Sequence, residues 1–115
     1  ESVLEIERAL ENENDAAAAE ILAELRTKSP VSRMIAYRQL RAGATMDFDA
    51  CMKMEYRLSQ HVMAGHDFYE GVRALIIDKD SKPNWRPFAL GDVTANMVNG
   101  YFEAAPTGDL TFEIT

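Results

Sequence analysis

Apolar residues recur at three- and four-residue spacing along most of this chain, and that spacing is typical of the buried face of an α-helix. The pattern is accompanied by residues that commonly begin a helix: Ser2 with Glu5 three positions later, Asp15, and Ser29 followed by Pro30. We therefore predict an all-α fold. The predicted helices span residues 2–12, 15–27, 30–42, 47–64, 67–78 and 92–101. The predicted buried positions of the first three helices are Leu4, Ile6, Leu10, Ile21, Leu22, Leu25, Val31, Met34 and Ile35, with Leu40 as a further candidate.

The longest helix is predicted to begin at Asp47 and to end at Gly65, because these are residue types favoured at the two ends of a helix. Its predicted apolar face is formed by Cys51, Met54, Leu58 and Val62. Asp67 and Glu70 have the spacing of a capping box that opens the next helix. Glu70 and Arg73 lie three positions apart, which predicts an ion pair on the helix surface, although Arg73 is alternatively an anchor to another part of a larger protein.

The pattern changes at the C-terminal end, where Leu110, Phe112 and Ile114 alternate with other residues. This alternation predicts an extended segment that lies on an apolar surface and is too short to form a sheet of its own. We find no internal repeat and no linker long enough to divide the chain. The prediction is a single domain over residues 1–115, a compact bundle of five to six helices with an extended C-terminal tail.

Several predicted helices carry apolar residues on more than one side. Tyr37 and Leu40 illustrate this on the third helix, and Met52 and Tyr56 on the fourth. A helix with two apolar stripes is normally buried by two neighbours. We therefore expect a further partner for this bundle, either a preceding core or another subunit.

Composition limits the classes of function. The chain has 115 residues, 47% of them hydrophobic, and a formal net charge of −7. These values are typical of one globular domain, and the negative charge disfavours both nucleic acid and anionic membranes as partners. No apolar stretch approaches the roughly 20 residues that cross a bilayer. Cys51 is the only cysteine and lies on an apolar helix face without an activating base, which predicts a buried, inert thiol.

The two histidines, His61 and His66, are the first candidates for chemistry. Ser59 precedes His61 by two positions on a helix, where the two side chains point in different directions, so no serine nucleophile is predicted. His66 lies between two helices, where we expect it to bond a free carbonyl of the preceding helix end or to pack against the turn. His66, Asp67 and Glu70 do not match the spacing of known zinc ligands, so we predict neither a metal site nor a cofactor.

The sequence DKDSKPNWRP, which follows the fifth helix, combines cations with an aromatic ring. Lys79, Lys82 and Trp85 are residue types that hold the phosphates and the ring of an adenine nucleotide. Asp78 and Asp80 offset the two lysines, which favours the simpler interpretation of a solvated turn with one buried aromatic side chain.

Several segments resemble one protein family. MEYRLSQ (54–60), GHDFYEGVRA (65–74) and IDKDSKPNW (77–85) resemble the C-terminal part of 3-hydroxyisobutyryl-CoA hydrolases, which belong to the crotonase (enoyl-CoA hydratase/isomerase) superfamily. KSPVSRMIAYRQLRAG (28–43) and GDLTF (108–112) extend the resemblance to nearly the whole chain. The shorter E-G-x-x-A motif, with a K-x-P-x-W/F turn, is shared more widely in the superfamily. That shorter motif alone does not separate a hydrolase from a hydratase or isomerase.

The resemblance implies that a larger parent protein binds acyl-CoA thioesters and hydrolyses 3-hydroxyisobutyryl-CoA in valine breakdown. It implies that the catalytic carboxylates and oxyanion-hole amides lie in a crotonase core upstream of residue 1, and no position here matches them. We therefore assign no catalytic residue. In the superfamily the C-terminal helices cover the active site and contribute subunit contacts. The C-terminal turn can approach CoA, and its matching positions here are Lys79, Lys82 and Trp85.

The chain is thus expected to be a C-terminal lid and assembly domain that is inactive alone, with the upstream core, sister subunits or both as partners. Two alternatives remain open. One is a free-standing helical interaction protein that dimerises through its surplus apolar faces, and the other is the same domain on an enoyl-CoA hydratase or isomerase. The expected location is the cytoplasm in a bacterium and the mitochondrial matrix in a eukaryote.

Overall fold

The computed structural model describes residues 2–112, and over this range it contains six α-helices and no strand. The helices are α1 (Val3–Asn12), α2 (Ala16–Arg26), α3 (Pro30–Gly43), α4 (Phe48–Ala64), α5 (Asp67–Val72) and α6 (Ala95–Phe102). A π-helical turn, Arg73–Ile77, continues α5, and a 3-10 turn, Leu90–Asp92, precedes α6. The predicted all-α bundle is confirmed. Residues 110–112 form no regular structure, and the predicted contact of Ile114 lies outside the described residues.

The predicted helix starts are largely confirmed because they depend on local hydrogen bonds. The side-chain oxygens of Ser2, Asp15, Ser29 and Asp47 accept hydrogen bonds from the amides of Glu5, Ala17, Ser32 and Ala50, at 3.2, 2.8, 3.3 and 2.8 Å respectively. Each bond satisfies one of the amide groups that a helix leaves without an internal partner at its N-terminus.

Two helices differ from the prediction. The helix predicted over 67–78 changes at Arg73 into a π-helical turn, in which the amide of Asp78 donates to the Arg73 carbonyl at 2.7 Å. The helix predicted over 92–101 begins later, since the Thr94 hydroxyl accepts from the Met97 amide at 3.2 Å and caps α6 there. The residues before Thr94 form the 3-10 turn instead.

The main core lies between α3, α4 and the segment that includes α6. Its buried members are Val31, Ile35, Met54, Leu58, Val93 and Val98. Three predicted core positions are wrong: Leu4, Ile21 and Leu40 are 47%, 53% and 76% exposed. Helices α1 and α2 pack mainly on each other, so one face of each remains exposed. Cys51 is half-buried rather than buried, with its Sγ 3.8 Å from the Gly43 carbonyl oxygen.

A buried ion pair connects the α1–α2 hairpin to the rest of the bundle. Glu7 of α1 contacts Arg33 of α3, and the two side chains are 7% and 10% exposed. Breaking such a pair is costly because it leaves one charge buried without its partner. Within the described range, no helix has the length and apolar character needed to span a membrane.

Candidate functional site

An apolar cleft of about 660 Å³ opens between the start of α3, the end of α4, and α5. Its walls include Val31, Ile35, Val62, Val72, Trp85 and Tyr101. Leu75 and Ile76 of the π-helical turn also line it, and these two residues and Ile77 are between 61% and 69% exposed. The size and the apolar lining of the cleft are typical of sites that take small ligands or apolar segments.

Trp85 forms one wall of this cleft and ties the turn to two helices. Its indole nitrogen donates to the Thr27 carbonyl at the end of α2, at 3.1 Å. Its ring lies over Gly71 of α5, where an added Cβ would be 3.3 Å from the nearest ring carbon. A larger residue at position 71 would therefore displace the ring. The side chain is half-buried, which only partly agrees with the predicted buried aromatic.

Asp67 joins the start of α3, the start of α5 and the end of the turn. Its carboxylate accepts hydrogen bonds from the Ser29 hydroxyl and from the Arg86 amide, the latter at 2.9 Å. The His66 ring nitrogen Nδ1 also lies 2.9 Å from it, whereas a carbonyl of α4 was the first of the two partners expected for this ring. The predicted capping box is wrong, since α5 has no side-chain cap and Asp67 is bonded to other segments.

Arg73 is the centre of a second network. Its guanidinium makes two hydrogen bonds to Glu70, at 2.8 and 2.7 Å, which confirms the predicted i,i+3 pair. It also donates to Asp78 at 2.9 Å, to Asp80 at 2.8 Å and to the Lys82 carbonyl at 3.3 Å. One side chain of the π-helical turn therefore binds both aspartates of the segment that follows.

These contacts change the acidity of the carboxyl groups. The bonds from Arg73, together with the Asn84 amide at 2.7 Å, stabilise the ionised form of Glu70 and lower its pKa to about 2. Arg73 and then the Lys82 amide lower the pKa of Asp80 in the same way. The hydrogen bonds that Arg73 donates to Glu70 first, and then to Asp80 and Asp78, raise the pKa of Arg73. Glu70, Asp80 and Arg73 are therefore ionised at neutral pH.

Lys79 and Lys82 are exposed, and neither ammonium group forms an ion pair in the part of the chain that the structure describes. The aspartates expected to offset these lysines contact Arg73 instead. Of the three residues predicted to hold CoA, Trp85 lines the cleft, whereas the two lysines lie on the turn outside its walls. Lys28 was not predicted to belong to a site, although it borders the cleft and forms an exposed ion pair with Glu24.

The remaining candidates are engaged in structural contacts. The Ser59 hydroxyl donates to the Tyr56 carbonyl at 2.8 Å, and the His61 ring nitrogen Nε2 lies 3.0 Å from the Glu103 carbonyl oxygen. The two side chains therefore have different partners, as expected from their spacing. Among residues 2–112, no group of three or more His, Cys, Asp or Glu side chains is arranged to hold a metal ion.

The fold and the match to family models define the class of protein. The model described as Enoyl-CoA hydratase/isomerase matches residues 1–102, so the chain belongs to the enoyl-CoA hydratase/isomerase family. The chain is 45% identical over 109 residues to the mitochondrial 3-hydroxyisobutyryl-CoA hydrolase of Xenopus laevis, covering 95% of this chain and 28% of that protein. It is 42% identical over 111 residues to the mitochondrial human enzyme of the same name, covering 96% and 29%.

Solved structures agree with this assignment. An enoyl-CoA hydratase from Rhodobacter sphaeroides 2.4.1 superposes with a TM-score of 0.88 at 32% identity, over 97% of this chain and 34% of that one. A carnitinyl-CoA dehydratase from Mycobacterium thermoresistibile superposes with a TM-score of 0.86 at 29% identity, over 94% and 31%. The fold is that of the helical C-terminal part of crotonase-type proteins. The chain spans less than a third of the length of the curated relatives that it matches.

Proposed function

We propose that this chain is the C-terminal lid and assembly domain of an acyl-CoA thioester hydrolase, with 3-hydroxyisobutyryl-CoA as the substrate of the whole enzyme. One observation carries the proposal: an open apolar cleft adjoins a turn with two exposed lysines, and Trp85 belongs to both. A lid needs apolar surface to exclude water from the reacting thioester. The phosphates of CoA need exposed cations.

The relatives support a hydrolase more than a hydratase or isomerase. Identity to the Xenopus laevis and human hydrolases is 45% and 42%, against 32% and 29% for the hydratase and dehydratase structures. We propose that a crotonase core, preceding this chain in the parent protein, supplies the carboxylates and the oxyanion-hole amides that thioester hydrolysis requires. The names of the hydrolase relatives support a mitochondrial location in a eukaryote. We propose the matrix there and the cytoplasm in a bacterium.

Activity measurements separate this proposal from its alternatives. We expect the parent protein to hydrolyse 3-hydroxyisobutyryl-CoA and the purified 115-residue chain to give no turnover. Mixing the chain with a parent protein that lacks it is expected to restore part of the activity, because the domain would cover the site again. Turnover by the chain alone would refute the proposal that the catalytic groups lie in the core. Hydration of an enoyl-CoA by a parent without thioesterase activity would favour the hydratase alternative.

The second part of the proposal assigns Lys79 and Lys82, with Trp85, to the nucleotide end of CoA. An exposed cation contributes modestly, so we expect Lys79→Ala and Lys82→Ala each to raise KM by at most about fivefold in the parent. The effect should shrink at higher ionic strength, while kcat stays close to wild type because the contact is remote from the thioester. Lys53→Ala removes an equal charge from α4 and serves as the control. Unchanged KM in both turn variants would show that the turn is only structural.

A further inference from the structure

The turn that carries Lys79 and Lys82 is organised by a residue outside it. Arg73, in the π-helical turn after α5, donates to Asp78, to Asp80 and to the Lys82 carbonyl, at 2.9, 2.8 and 3.3 Å. Five guanidinium N–H groups in a rigid plane allow one arginine to serve several acceptors at once. A lysine at this position would have three donors on one nitrogen and would not span the same set of acceptors.

The backbone of the turn is unusual and is held by the same network. Lys79 and Ser81 have φ values of 55° and 56°, in the left-handed region that residues with a side chain rarely adopt. The Lys82 amide donates to Asp80 at 2.8 Å, and the Asn84 amide donates to Glu70 at 2.7 Å. The carboxylates of Asp80 and Glu70 are also bonded to Arg73. Arg73 therefore positions the two side chains that accept hydrogen bonds from the backbone of this segment.

The network also separates the charges of the turn. The carboxylates of Glu70, Asp78 and Asp80 all contact Arg73, whereas Lys79 and Lys82 are exposed and form no ion pair within the described residues. Lys79 lies between Asp78 and Asp80 in the chain and Lys82 follows two positions later, so without Arg73 these lysines would be cations close in sequence to both aspartates. By binding both aspartates, Arg73 thus keeps them from forming ion pairs with Lys79 and Lys82.

We infer that Arg73 is a positioning residue that prepares the turn to bind a phosphate-bearing ligand. It binds the carboxylates of Glu70, Asp78 and Asp80, holds the left-handed backbone and leaves both lysines exposed to the phosphates. The inference rests on the proposed function of the turn and adds a residue that does not touch the ligand. Its role therefore differs from that of Lys79 and Lys82, and the two roles can be measured separately.

The experiment compares two substrates in the parent protein: 3-hydroxyisobutyryl-CoA and the pantetheine thioester of the same acid, which lacks the nucleotide. We expect Arg73→Gln to raise KM for the CoA thioester by about two- to fivefold, with kcat retained and KM for the pantetheine thioester unchanged. The KM of Arg73→Lys for the CoA thioester should lie between those of wild type and Arg73→Gln. Arg57→Gln is the matched control, because Arg57 makes a similar two-bond pair with Asp109, at 2.7 and 2.6 Å, elsewhere in the bundle.

A second measurement reports the turn itself in the 115-residue chain. Residues with positive φ give strong intraresidue amide–Hα NOEs, and those of Lys79 and Ser81 should weaken in Arg73→Gln but not in Arg57→Gln. Retention of both NOEs in Arg73→Gln would overturn the inference. An equal rise of KM for both substrates would also overturn it, because that result indicates general damage to the fold.

The double variant Lys79→Ala/Lys82→Ala separates the two proposals. If it raises KM for the CoA thioester while Arg73→Gln does not, the lysines bind the nucleotide without the arginine, and only the inference about Arg73 fails. If the double variant leaves KM unchanged, the turn does not bind the nucleotide, and the proposed function of the turn fails together with the inference.

Discussion

The packing of Trp85 on α5 makes Gly71 a sensitive position. A Cβ added there would lie 3.3 Å from Cη2 and 3.6 Å from Cζ3 of the indole, and the shorter distance is inside the normal separation of two carbon atoms. Gly100 in α6 offers a matched control, because a Cβ added there meets no atom within 4 Å. Substituting each glycine by the same residue therefore compares one chemical change at a position that contacts the indole ring with the same change at a position that contacts nothing.

The expected magnitudes follow from two opposing effects. Alanine stabilises a helix interior by up to about 1 kcal/mol relative to glycine, and Gly100→Ala should show most of this gain. In Gly71→Ala, the close contact between the added Cβ and the indole ring should cancel much of this gain in stability. Gly71→Val adds two further methyl groups, so the ring must move, at a cost of about 1–3 kcal/mol for overpacking. Displacement of the ring should also weaken the hydrogen bond of Trp85 to Thr27. We expect a net loss of about 2 kcal/mol, equivalent to a Tm lower by roughly 8 °C.

Urea and thermal unfolding followed by circular dichroism would measure these differences. Trp85 is the only tryptophan of the chain, so its fluorescence emission reports the position of the ring directly. Gly71→Val should show a red-shifted emission together with lower stability, whereas Gly100→Val should show neither. If the two valine variants are equally stable and the emission of Gly71→Val is unchanged, the indole does not pack on α5 as described.

Three further predictions concern the stability and surface of the chain. The pKa of Glu70 is lowered from 4.5 to about 2, so its contribution to stability is complete above about pH 4.5 and is lost as the pH falls towards 2. The difference in urea midpoint between wild type and Glu70→Gln should shrink over this window, and a constant difference would contradict the assignment. Leu58→Ala should cost about 2–5 kcal/mol in urea unfolding, because Leu58 is buried in the main core, whereas Leu40→Ala at an exposed position should change stability by less than about 0.5 kcal/mol. Equal effects at both positions would refute the assigned core. The exposed Leu75 and Ile76 predict self-association or hydrophobic-dye binding that Ile76→Ser reduces, and sedimentation as a strict monomer without dye binding would count against this prediction.

The helix starts could be predicted from the sequence because their hydrogen bonds connect neighbouring positions. Ser2, Asp15 and Asp47 bond to amides two or three residues further along, so the residue type and its spacing contain the necessary information. The buried faces of α3 and α4 follow equally directly from spacing. Leu40 shows the limit of this argument, since an apolar residue at a helical position is buried only if another element covers it.

The candidate site depends on contacts between residues far apart in the chain, which spacing does not reveal. Asp67 and Glu70 have the spacing of a capping box, yet they bond to Arg86 and Asn84, which lie 19 and 14 positions away. Trp85 bonds to Thr27 across 58 positions. Composition alone suggests that the aspartates of the turn neutralise its lysines. Only the tertiary structure shows that Arg73 binds the carboxylates of both Asp78 and Asp80. Its planar guanidinium group has several donors in fixed directions, so it can bind several fixed acceptors at once, which a lysine ammonium group does less well.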